Sequence, residues 1–120
     1  MTTAKDKLSI IVKAADDRMG QDILALDVSR LTPLAEYFVI MHAKNDRQLQ
    51  AIIEEIREKC QEAGIAIKGI EGKDGGKWIL LDAYDVVVHV FHHEERVHYN
   101  LEKIWVEAPL VDISEWIAPQ

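Results

Sequence analysis

The chain has 120 residues, which fits one domain of about 100–150 residues, and its 48% hydrophobic and 29% charged content excludes a disordered segment. Fourteen basic against 21 acidic residues give a net charge of −7, which argues against strong nucleic-acid binding; a negative surface would suit a basic partner, but on composition alone the charge is most simply what keeps the protein in solution. One cysteine, Cys60, excludes an internal disulfide framework and suits a reducing cytoplasm.

The N-terminal stretch "MTTAKDKLSIIVKAADDR" carries charge within its apolar run and no small-residue cleavage site, so it does not read as a signal peptide. Leu8, Ile11, Val12, Ala15 and Met19 recur at helical spacing and predict a helix over 5–19, with Gly20 where it should stop. "DILALDVS" (22–29) reads as a strand and "RLTPLAE" as the loop after it, since Pro33 breaks any continuation. "YFVIMHA" (37–43) is nearly all apolar, as a strand covered on both faces would be.

Asn45 or Asp46 can cap a second helix, whose stripe is Leu49, Ile52, Ile53, Ile56 and Cys60; Gly64 closes it. Cys60 lies on that stripe and reads as a small core residue. "IAIKGIEG" (65–72) reads as a short strand and "GKDGG" (72–76) as a turn. "KWILLDA" and "DVVVHVF" are strands joined around Tyr84. A last helix is expected from Glu94 to Trp105, with Val97, Leu101, Ile104 and Trp105 on one side. Residues 108–120 form a tail in which Trp116 and Ile117 can dock on the domain or on a second subunit. No apolar run approaches the roughly 20 residues of a membrane span. The order α-β-β-α-β-β-β-α predicts a single α/β (mixed α+β) domain over 1–120, a five-stranded mixed sheet packed with helices.

"DVVVHVFHHEERVH" (85–98) holds four of the five histidines and invites a metal or acid–base reading. His93 and His98 are five apart, so on a helix they point about 140° from each other, unlike the four-residue spacing of H-E-x-x-H. In the strand, Asp85, Val87, His89 and Phe91 share one face, while Val86, Val88, Val90 and His92 take the other. Asp85 and His89 are then about 13 Å apart along the backbone, too far for a hydrogen bond. A sensor built from His89, His92, His93 and His98 is the weakest of the functional readings. "GKDGGK" lacks the phosphate-loop pattern, and no G-x-S-x-G elbow exists. What remains is a contact surface: Trp78, Leu80 and Asp82 share one face of their strand, and the last helix offers Tyr99, Asn100 and Glu102. Aromatic and polar groups of this kind serve as interface hot spots, although a sheet-core role for Trp78 fits the spacing equally well.

The segments "EYFVIMHA", "DRQLQAI" and "IEG…GGKWILLDAYDVVVHVFHHEERVHYNLEKIW" resemble the Iojap/YbeB family, the ribosomal silencing factors, over residues 5–109. The resemblance implies a fold similar to the nucleotidyltransferase fold and a non-enzymatic cytoplasmic factor with no cofactor or metal. It also implies binding to the large ribosomal subunit through large-subunit ribosomal protein fourteen, steric blocking of small-subunit joining when nutrients are scarce, and a homodimer when free. Organelle relatives are linked to large-subunit assembly. Carried over to matching positions, the contact set is Trp78, Leu80, Asp82, Tyr99, Asn100 and Leu101, with Tyr37 and Phe38 assigned to packing. The chain departs from the family pattern at His42-Ala43-Lys44 and at His93. The rival reading is a magnesium-dependent nucleotidyltransferase, but "MHAKNDRQ" replaces the Gly-Ser turn of that chemistry and no Asp-x-Asp occurs.

Overall fold

The computed structural model describes residues 3–73, 77–93 and 108–117. Helix α1 (Ala4–Asp17) starts at a capping box, in which the Thr3 hydroxyl accepts from the Asp6 N–H and the Asp6 carboxylate accepts from the Thr3 N–H. Its end differs from the expected Gly20 stop. The left-handed residue is Met19, at φ 62°, while the Met19 and Gly20 N–H groups close on the carbonyls of Asp16 and Ala15. Gly20 serves close approach instead: a Cβ there would meet the Ala15 carbonyl and the Met41 sulfur, each at 3.2 Å.

Strand β1 (Gln21–Asp27) follows, with a register irregularity between Gln21 and Leu24. It ends two residues before the expected 29, because Asp27 Oδ1 accepts from both the N–H and the hydroxyl of Ser29 and turns the chain. Strand β2 (Tyr37–Ala43) has the expected bounds. Helix α2 (Asp46–Glu62) is capped by Asn45, whose side chain accepts from the Gln48 N–H at 2.8 Å. At its other end Gly64 takes φ 72°, and the Gly64 and Ile65 N–H groups bond to the carbonyls of Gln61 and Cys60. That last bond keeps Ile65 on the helix end, so strand β3 spans only Gly69–Lys73. Strands β4 (Trp78–Asp82) and β5 (Val86–His92) complete the sheet.

The strand order is β1-β2-β5-β4-β3. Strands β2 and β5 are parallel at the centre, and the remaining pairs are antiparallel. It is the mixed five-stranded sheet expected, and α1 and α2 lie on one face of it. Leu8, Ile11 and Val12 of α1, and Leu49, Ile52, Ile53, Ile56 and Cys60 of α2, pack there against Val39, Met41, Leu81, Val88 and Val90. Each such aliphatic side chain, fully buried, contributes roughly 1.5–3 kcal/mol relative to an exposed one. The predicted helix Glu94–Trp105 lies outside the described residues.

Residues 108–117 run back along the domain. The Asp27 N–H donates to the Pro109 carbonyl and the Val111 N–H to the Ala25 carbonyl, both at 2.9 Å, with Leu110 bridging to Leu26. These bonds cover the outer edge of β1, which would otherwise offer unpaired backbone groups. Ile113 is buried in the helix-side core, and Trp116 and Ile117 pack against it.

Candidate functional site

Period-two alternation sorts β4 and β5 onto two faces. Ile79, Leu81, Val86, Val88 and Val90 enter the helix-side core. The opposite face, hereafter the far face, carries a second apolar cluster: Leu26, Val28, Ile40, Val87 and Phe91, with half-buried Phe38, Trp78 and Leu80 packed against it. Register aligns Trp78 with Phe91, Leu80 with His89, and His89 in turn with Ile40 of β2.

The aromatic groups of this face interlock. The Trp78 indole stacks on Phe91 with ring centroids 5.2 Å apart and planes 25° apart. Its Nε1–H donates to His89 Nδ1 at 3.2 Å. Phe38 meets the His89 ring edge-to-face, at 5.2 Å and 64°. Phe91 is 1% exposed and His89 6%, so these two form the floor; Trp78, Leu80 and Phe38 stand partly above it. The indole N–H can only donate, so His89 Nδ1 is the acceptor of this pair.

Asp82 ends β4 on the same face. Its Oδ1 accepts from the Tyr84 N–H at 2.8 Å and its carbonyl from the Lys68 N–H at 2.7 Å. Tyr84 takes φ 69°, a conformation glycine ordinarily supplies in a two-residue hairpin turn. Lys7 of α1 braces this turn through an ion pair with Asp85 at 3.3 Å. A cleft of 220 Å³ lined by Leu34, Lys68, Asp82, Tyr84 and Asp85 opens there. Leu34 is 83% and Tyr84 50% exposed, and they flank the charged Lys68, Asp82 and Asp85 at this end of the sheet.

Of the six residues in the expected contact set, Trp78, Leu80 and Asp82 therefore share one face of β4, while Tyr99, Asn100 and Leu101 lie outside the described residues. Tyr37, assigned to packing, does pack on the helix side. Phe38, given the same assignment, packs as well, on the far face; the alternation Phe38-Ile40-His42 carries that side in the sequence. Nothing in the sequence pairs Trp78 with His89, because their relation depends on the β4–β5 register.

Of the four clustered histidines, only His92 and His93 are seen side by side. His92 takes the face opposite His89 by strand alternation and its ring lies 4.7 Å from that of His93, while His98 lies outside the described residues. Among the described residues, no group of three or more His, Cys, Asp or Glu side chains is placed to hold a metal ion. The β2–α2 turn, where a transferase would grip phosphate, is closed on itself: Gln48 Oε1 accepts from the Lys44 N–H at 2.6 Å beside the Asn45 cap. Cys60 is fully buried, and that burial pushes its thiol above the usual thiol range, with nearby Lys7 pulling slightly the other way.

Residues 1–120 match the family model described as ribosomal silencing factor during starvation. The chain belongs to the ribosomal silencing factor family. It is 50% identical over 110 residues to the ribosomal silencing factor RsfS of Bacillus subtilis, covering 92% of this chain and 93% of that one. It is 32% identical over 103 residues to the chloroplastic protein Iojap of Zea mays, covering 86% of this chain but 45% of the plant protein. A crystal structure of a Chromobacterium violaceum protein superposes with a TM-score of 0.82 at 36% identity, covering 86% of each chain. The name of the family is that of a regulator of ribosomes, not of a catalyst. Among the described residues, no helix is long and apolar enough to cross a membrane.

Proposed function

We propose that this silencing factor binds the large ribosomal subunit through large-subunit ribosomal protein fourteen and keeps the small subunit from joining when nutrients are scarce. The observation that carries the reading is the far-face patch of β4. There, half-buried Trp78 and Leu80 stand on a rigid aromatic floor beside the Asp82 carboxylate. A fixed aromatic anchor with a polar neighbour is what a binding hot spot requires. Tyr99, Asn100 and Leu101 complete the contact set in this reading.

The factor works by occupancy, as one domain spanning 1–120 in the cytoplasm, without catalysis, cofactor or metal and with no strong nucleic-acid contact of its own. When free it is a homodimer. A net charge of −7 suits a basic ribosomal protein and steers the encounter in a salt-dependent way. Co-sedimentation with purified large and small subunits tests the proposal. The factor travels with large subunits only, and an excess of isolated ribosomal protein fourteen strips it off. A factor that stays at the top of the gradient would refute the reading. If it then gained thermal stability from nucleotide and magnesium, the transferase alternative would replace it.

A further inference from the structure

We infer that His89 is a positioning residue for partner binding: through its Nδ1 it holds the Trp78 indole in the orientation the far-face patch presents. The inference rests on the reading of Trp78 as a contact residue. The β4–β5 register sets Trp78 directly opposite Phe91, so His89, two residues before Phe91, is its diagonal neighbour. A diagonal neighbour lies within reach of a side chain as long as tryptophan. Stacking on Phe91 sets the plane of the indole, but a half-turn about its Cβ–Cγ bond keeps that plane while reversing the edge that carries Nε1. The bond from Nε1 to His89 Nδ1, at 3.2 Å, favours one of these two orientations.

His89 is itself held well enough to serve as a reference point. It is 6% exposed, its ring lies nearly parallel to Phe91 at 6.4 Å and 11°, and Phe38 meets it edge-to-face. The order of a buried central strand is thus passed to a half-buried side chain on the next strand. An anchor ordered before the encounter has less rotamer freedom to lose on binding, which is worth about a 3- to 10-fold gain in affinity for one side chain.

The test uses the full chain, with large-subunit affinity from co-sedimentation and the Trp78 indole N–H resonance, assigned with Trp78→Phe, as its two readouts. His89→Leu removes the acceptor and keeps bulk, whereas His89→Asn places an amide oxygen close to where Nδ1 stood. We expect His89→Leu to shift the indole resonance and weaken binding about 3- to 10-fold, and His89→Asn to recover most of both. In a Trp78→Phe background, His89→Leu should cost nothing further. Unchanged resonance and affinity in His89→Leu would overturn the inference. So would an equal loss in the two His89 variants, or a full loss in the Trp78→Phe background. Should His89→Leu not fold, Trp78→Phe deletes the donor without touching the buried ring, and wild-type affinity there would also overturn it. If Trp78→Ala binds subunits like wild type, the β4 contact reading fails, and the indole resonance still reports whether His89 holds the ring.

Discussion

Leu80 and Leu81 are adjacent, chemically identical and on opposite faces of β4, so truncating each in turn separates packing from recognition. Leu81 is fully buried among the helix-side residues, between the sheet and the two helices. A buried Leu→Ala costs 2–5 kcal/mol, and a site enclosed by the sheet and both helices has little room to collapse, so Leu81→Ala should lose about 3 kcal/mol. For a chain of this size that is a fall in Tm of roughly 10–15 °C. Leu80 is half-buried on the far face, so only part of its side chain leaves water on folding, and Leu80→Ala should cost about 1 kcal/mol. The order reverses for binding. Leu80→Ala weakens large-subunit association several-fold, while the folded fraction of Leu81→Ala binds as wild type does. Urea titration followed by far-ultraviolet circular dichroism gives the first quantity, and co-sedimentation at a temperature where both variants are folded gives the second. Equal destabilisation by the two substitutions would show that the far face is sealed core and refute the reasoning.

Cys60 should be inert to an aromatic disulfide reagent in the native protein at pH 8 and react fully in urea, because burial disfavours its thiolate. A thiol pKa raised by folding adds stability below the unfolded value, and that stability drains away as pH climbs past about 8.5. Denaturant midpoints between pH 7 and 10 should therefore fall for wild type and fall less for Cys60→Ala. Gly64→Ala places a side chain where nothing lies within 4 Å but at φ 72°, so it should cost about 1 kcal/mol of backbone strain without disturbing the core. A neutral result in thermal melts would mean that the end of α2 adopts another conformation.

What could be read from the sequence was whatever rests on local signals. Helix α2 combines an Asn45 cap, an unbroken apolar stripe and a glycine at the left-handed position, and its bounds came out nearly to the residue. Strand β2 needed only its apolar run. The expected end of β1 runs past the observed one because Val28 looks like a strand residue, while the turn is made by Asp27 bonding Ser29. Ile65 and Ile67 read as strand residues, yet Ile65 is tied to the Cys60 carbonyl and belongs to the end of α2. Met19, not Gly20, takes the left-handed conformation, while a Cβ at position 20 would crowd the Ala15 carbonyl and the Met41 sulfur. The pairing of Leu110 with Leu26 joins segments more than eighty positions apart and leaves no local trace. The candidate site divides the same way: alternation alone puts Trp78, Leu80 and Asp82 on one face, but the bond from Trp78 to His89 depends on how two strands are aligned.

We propose that the far face of β4 occupies the large subunit and thereby excludes the small one. The most direct measurement mixes separated subunits under joining conditions with wild type or with Trp78→Ala and resolves the products on a gradient. Trp78→Ala is expected to remain folded, because its indole is only half-buried. With wild type the subunits should stay apart and the factor should move with the large one. With Trp78→Ala the joined ribosome should form as if no factor were present. Joining that proceeds unhindered with wild type, or a folded Trp78→Ala that blocks it equally well, would contradict the account.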